Sequence, residues 1–208
     1  MRGFILDLRK HRAEDLIVTI LTDEKVLKLY RFYGVRHSPI QLGYKVDFAV
    51  EHDPFFMPRL RSVWHLGYKW LFDLKRARLW QRFCQILQKH LRDAEKIDDF
   101  YFAILEKAAA KMERQNPERV LIEAMIEILD REGRLFDISG EFSCEICEEK
   151  IEDDRFVLLS KFSPAHENCV SKRGFLKSAI ARLFNSYETI LLSDVEVGEL
   201  FGNMENEI

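Results

Sequence analysis

Cys144-Glu145-Ile146-Cys147 and His166-Glu167-Asn168-Cys169 place three of the chain's four cysteines and one of its six histidines within 26 residues. The spacing C-x2-C-x18-H-x2-C assembles four soft or borderline ligands as two pairs. A tetrahedral Zn2+ takes such a donor set, and a C-x2-C turn brings two thiolates to one edge. Ser163-Pro164 reads as an N-cap followed by the first residue of a helix, which would carry His166 and Cys169 on one face of its first turn. Arg155 to Phe162 reads as a short apolar strand between the pairs. Knuckle, hairpin and helix-borne ligands make a treble-clef-like zinc finger over residues 142–170. Four protein ligands close the site, whereas a catalytic zinc keeps one position open for water. The expected ion is therefore one structural Zn2+ per chain.

Other chemistry is missing from the sequence. A redox C-x-x-C would sit in a βαβ context, which is absent. A zinc deaminase would place H-x-E ahead of P-C-x-x-C; here the C-x-x-C comes first, without proline. There is no H-E-x-x-H, G-x-S-x-G or P-loop motif. The expectation is a protein that is not an enzyme. Four cysteines, one isolated at Cys84, do not make a disulfide framework, so the compartment reads as reducing and cytoplasmic. No signal-peptide pattern and no apolar run of about 18 residues occurs, so no membrane partner is expected.

The elements that must hold these residues follow from periodicity. The first 70 residues alternate with period two. In GFILDLRK, Phe4, Leu6 and Leu8 fall on one face; further on, Leu16, Val18 and Ile20 share a face. Thr22 to Lys25 is a polar turn, followed by a strand from Val26 to Tyr33. Tyr44, Val46, Phe48 and Val50 share a face with Lys45 and Asp47 opposite, and Leu60, Trp64, Leu66 and Tyr68 share another. Five short strands with polar turns suit a small closed barrel of the OB type over residues 1–69. An open sheet packed on a helix fits the same pattern.

From Trp70 the period becomes helical. Leu71, Leu74, Trp80, Phe83, Cys84, Leu87 and Leu91 form one stripe, FYFAILEKAAAKMER a second helix, and PERVLIEAMIEILDREG a third. Asn116 caps the third helix, Pro117 opens it and Gly133 closes it. All three are amphipathic and are expected to pack together and against the barrel. The fold class is α+β: an N-terminal barrel, then an α-helical domain over 70–208 with the finger embedded in it.

Charge is uneven. The whole chain carries −3, but residues 1–80 hold 15 Lys and Arg against 9 Asp and Glu, while residues 141–208 hold 7 against 14. A basic head and an acidic tail point to an anionic partner for the barrel. Arg9, Lys10, Arg12, Arg31, Arg36 and Lys45 are the candidate phosphate contacts, with Tyr33 as a stacking platform. Each aromatic taken singly also fits the core.

The order of these parts resembles the RecO family of recombination mediators, in particular its short ε-proteobacterial form. The resemblance rests on the opening ILDLRKHRAEDLIVTILTDE, on YRFYGVRHS, and on a helical body interrupted by the finger. Tyr33-Gly34-Val35-Arg36 stands where the family has a glycine-and-basic segment, and Cys144, Cys147, His166 and Cys169 stand at its zinc positions. One finger ligand is His in place of Cys, the helical body is trimmed, and the acidic balance disfavours duplex binding by the C-terminal half. The resemblance implies a DNA-repair mediator that binds single- and double-stranded DNA, anneals strands and, with RecR, helps load RecA on DNA coated by single-stranded DNA-binding protein. It implies a cytoplasmic, nucleoid-associated location. Lys75, Arg76, Arg78 and Arg82, beside Trp80 and Phe83, suit the acidic C-terminal tail of the single-stranded DNA-binding protein. A zinc-stabilised protein-interaction module that does not touch DNA is the alternative.

Overall fold

The structure is a computed structural model that describes residues 1–92 and 97–205 of the 208-residue chain. It comprises two compact units, residues 1–114 and 115–208.

The first unit is built on five strands: β1 (Arg2–Lys10), β2 (Leu16–Leu21), β3 (Val26–Arg31), β4 (Lys45–Glu51) and β5 (Arg59–His65). They close into a barrel in the order β1-β2-β3-β5-β4, with β1 pairing both β2 and β4 and with β3 and β5 parallel. This is the OB-type barrel expected of the sequence. Ile5, Leu16, Val18, Ile20, Leu29, Ile40, Val46, Phe48 and Leu60 fill it. The β2–β3 turn is fixed by Thr22, whose hydroxyl donates to Lys25 O and accepts from the Glu24 and Lys25 N–H groups.

Two of the expected faces are corrected by bulges. In β1 the register slips between Ile5 and Asp7, so Leu8 lies opposite Val18 and packs on the barrel core, while Phe4 and Leu6 are buried on the outer face. In β5 the pairings Ala49↔Arg61 and Asp47↔Trp64 leave two residues of β5 facing one of β4. Ser62 takes the left-handed φ of 48° that this needs. Leu60 and Val63 therefore face inward and Trp64 is turned out, 72% exposed. The strand from Val26 also ends at Arg31, before Tyr33, which adopts φ 50° in a turn.

Two helices complete this unit: α1 (Leu74–His90), capped by the Asp73 carboxylate on the Lys75 and Arg76 N–H groups, and α2 (Phe100–Lys111). Trp80 is fully buried, meets Phe4 edge-on at 5.9 Å, and donates its indole N–H to Gly43 O at 2.7 Å. Gly43 has φ +80°, and a Cβ there would stand 2.6 Å from the Trp80 ring, so only glycine serves. Cys84 is wholly buried, and burial pushes its thiol far above the usual range. The change of period at residue 70 thus marks where strand gives way to helix, while the compact unit continues to Arg114 because the outer face of β1 needs covering.

The second unit holds α3 (Pro117–Arg131), β6 (Arg155–Leu158), β7 (Pro164–Ala165), α4 (Glu167–Val170), β8 (Phe175–Leu176), α5 (Lys177–Ser186) and α6 (Asp194–Glu205). The Asn116 side chain accepts from Glu118 N and Arg119 N, and Pro117 occupies the first turn. Gly133, at φ +67°, ends α3 with the Arg134 N–H bonded back to Leu129 O. The expectation that all three helices pack together is corrected. α3 belongs to the second unit, where it packs with α5 and α6.

Candidate metal centre and nucleic-acid interface

The finger is built from short pieces. Phe142 to Ile151 folds back on itself, with Ile151 N–H bonded to Phe142 O and Cys144 N–H to Glu149 O. Glu148 supplies the left-handed residue of this knuckle at φ 63°. A three-stranded sheet in the order β7-β6-β8 follows. Ser163-Pro164 does not begin the helix as expected. Pro164 pairs with Leu158 in β7, Ser163 donates to Ser160 O, and α4 starts at Glu167 with His166 as its N-cap. The strand expected to reach Phe162 stops at Leu158 and becomes a 3-10 turn. His166 and Cys169 still open one helix, and Cys169 N–H donates to His166 O. Knuckle, hairpin and helix form the treble-clef arrangement.

Cys144, Cys147, His166 and Cys169 present ligand atoms that all lie within 4.8 Å of one another, a cluster that could hold one metal ion. His166 Nδ1 stands 3.4 Å from Cys147 Sγ and 4.0 Å from Cys169 Sγ. A tetrahedral Zn2+ with bonds of about 2.0–2.3 Å has edges of roughly 3.5–3.8 Å, which these distances bracket. His166 Nε2 is 3.2 Å from Lys150 O. A carbonyl only accepts, so Nε2 carries the proton and Nδ1 keeps its lone pair for the cluster.

Burial pushes the Cys144 thiol up, but N–H donors from Cys147, His166 and Ile146 outweigh it and hold the thiol at about 6. Cys169 is pushed up to about 11 by desolvation and by the thiols of Cys147 and Cys144. One ligand is ready as a thiolate, and its charge opposes ionisation of the next. A cation among them relieves that repulsion.

The barrel residues fall into two places. Asp15 organises the first. Its carboxylate accepts from the Tyr30 hydroxyl and from Tyr33 N–H at 2.8 Å, which ties the β1–β2 loop to the segment after β3. Tyr33 is 60% exposed there, with the Arg36 guanidinium 5.7 Å from its ring and paired to Glu14 at 2.6 Å. Arg9 is exposed and held by Asp7. Lys10 and Arg12 are exposed with no carboxylate in ion-pair range among the described residues. Arg31 is half-buried and bonded to Leu60 O. Lys45 is elsewhere. It lies on the outer face of β4, largely buried, bonded to Glu106 of α2 and set over the rings of Phe4 and Phe102.

Beside this cluster lie Phe32, which the sequence offered as either a stacking or a core ring, and three residues that its pattern did not single out, Phe55, Phe56 and Met57. Phe32 is exposed with the Arg59 guanidinium 5.5 Å from its ring. Phe55, Phe56 and Met57 are exposed on the β4–β5 loop, whose Pro58 carbonyl accepts from Tyr30 N–H. The signal available was Phe-Phe-Met between two prolines, too short for a strand and too apolar for an ordinary loop.

The four cations on α1 do not flank an apolar anchor at Trp80 and Phe83, because both rings are fully buried. Arg76 turns inward to Asp73 and Met112 O. Lys75, Arg78 and Arg82 are exposed, and the apolar groups exposed nearest them in sequence are Phe72 and Leu74. No described helix is long and apolar enough to cross a membrane.

No curated protein matches the chain. The family model described as RecO N terminal matches residues 1–71, the stretch that forms the barrel and its exit. That match spans about a third of the chain, and over the barrel the chain is similar to the RecO N-terminal family.

Proposed function

We propose that the protein is a recombination mediator of DNA repair. It binds single- and double-stranded DNA through the barrel, promotes annealing and, with RecR, helps load RecA on DNA coated by single-stranded DNA-binding protein. It works without catalysing a reaction. The observation that carries this reading is a RecO N-terminal barrel whose β1–β2 loop and post-β3 turn present Tyr33, Lys10, Arg12 and Arg36 together. The β1–β2 loop of an OB-fold is one of those that bind oligonucleotides. Cations track phosphates, and exposed rings stack on bases of any sequence. The ion at Cys144, Cys147, His166 and Cys169 is a structural Zn2+, since side chains fill all four tetrahedral positions.

The test is a titration of labelled single-stranded oligonucleotide over a salt series. Lys10→Glu with Arg12→Glu weakens binding for all sequences, and each lost phosphate contact lowers the salt slope by roughly 0.7. Tyr33→Asn keeps a residue suited to the left-handed backbone and removes the ring, at a cost of about 1–3 kcal/mol of binding. Wild-type affinity and slope in the folded triple variant would take DNA off this surface. Intact oligonucleotide after long incubation with the protein is the accompanying expectation, and cleavage would show an enzyme.

The tail of the single-stranded DNA-binding protein is proposed to dock at the start of α1. Phe72, 91% exposed, and Leu74, 71% exposed, offer the apolar contact, and Lys75, Arg78 and Arg82 offer the cationic rim. Phe72→Ser with Arg78→Glu should weaken binding of an acidic peptide ending in Phe about tenfold or more, read by fluorescence anisotropy. Unchanged affinity would place the tail elsewhere.

A further inference from the structure

Arg31 ends β3 and reaches over the seam where β3 meets β5. Its Nη1 donates to Leu60 O at 2.9 Å, and its Nη2 lies 2.9 Å from His37 Nε2. Its Nε is buried and unpartnered. Arg9, Arg36, Arg59 and Arg61 each have a carboxylate, but Arg31 has none within ion-pair range among the described residues. A guanidinium only donates, so His37 must offer Nε2 as a lone pair. The same Nη2 also lies 3.4 Å from Nδ1, and the ring is neutral in this pairing.

The charged groups around the pair leave it without a counter-ion. Arg61 acts on Arg31 from β5 and is itself bound to Glu51 of β4. Glu14 of the β1–β2 loop is taken by Arg36. Asp15 is taken by Tyr30 and by Tyr33 N–H. Burial and the Arg31 charge both favour the neutral ring of His37. An anion entering between the two side chains reverses the balance. It accepts from Arg31 Nη2 and, once His37 is protonated, from Nε2 as well.

We infer that Arg31 and His37 form a proton-linked clamp for one backbone phosphate of single-stranded DNA. The inference rests on the reading of the barrel as the DNA-binding surface. The bound state holds more protons than the free protein, so affinity rises as pH falls through the histidine range and the gain is lost as pH rises above it. The phosphodiester itself does not titrate there.

The experiment is calorimetric titration of the full-length protein with a short oligothymidylate, in buffers of different ionisation enthalpy. Affinity is expected to rise about three- to tenfold from about pH 8 to about pH 6, with an uptake averaging about a quarter to a half of a proton over that range. His37→Asn flattens this dependence, whereas His11→Asn and His52→Asn retain it. In NMR the His37 ring should titrate at higher pH when DNA is added. DNA binding without proton uptake, a slope that survives His37→Asn, or an unmoved His37 titration overturns the clamp and leaves the barrel reading standing. A wild-type protein that does not bind the oligonucleotide removes both.

Discussion

Stripping the metal, or replacing Cys144 by Ser, is expected to unfold residues 142–176 while the barrel unit stays folded. The finger has little else to hold it. Its strands are two to four residues long and α4 has four, far below the length at which such pieces persist alone. Its rings, among them Phe142 and Phe156 at 5.2 Å, pack only if the knuckle is closed. Zinc binding in finger peptides amounts to about 10–16 kcal/mol near neutral pH, against about 5–15 kcal/mol for the stability of a whole domain. Loss of the ion therefore dominates this unit. Metal analysis should show a Zn2+ in the wild type and almost none in Cys144→Ser, and hydrogen exchange should become fast over 142–176 alone. Protons compete for the thiolates, so the apparent metal affinity falls as pH drops. A metal-free preparation with full amide protection across the finger would refute this.

Trp80→Ala is expected to cost the first unit about 3–5 kcal/mol. The ring is fully buried, packs against Phe4 and Phe83, and its N–H satisfies Gly43 O. Truncation leaves a cavity between helix and barrel and an unpaired carbonyl. Trp80→Phe keeps most of the bulk and should cost less, about 1–3 kcal/mol, mainly through the carbonyl. The measurement is urea unfolding followed by circular dichroism. A midpoint unchanged in Trp80→Ala would mean that α1 does not hold the barrel.

How much of this was legible in the sequence depended on how local each cause is. The finger ligands were legible because metal chemistry fixes type and spacing together. Its helix start was misplaced because Ser-Pro resembles a cap, yet Pro164 is held by pairing with Leu158, a partner that local pattern does not reveal. The barrel's core face was legible in β2, which runs without a bulge, and failed in β1 and β5 after Ile5 and Ser62, where one added residue inverts every side chain beyond it. Asn116, Pro117 and Gly133 were legible as helix punctuation because caps act within a turn. Lys45 was misread as a surface group because it lies where helix covers barrel, and period alone does not say which face of a strand a later helix will hide.

Cys84 lies sealed in the first unit, and the chain's other three cysteines all belong to the finger of the second. Thiol chemistry can therefore follow the two halves of the molecule separately. A chromogenic thiol reagent added to the native chain is expected to meet only the finger cysteines, at a rate limited by release of any ion they hold. Reaction at Cys84 waits until α1 leaves the barrel. A single alkylation time course followed by peptide mass analysis thus contains two clocks, one for each unit, with no engineered label.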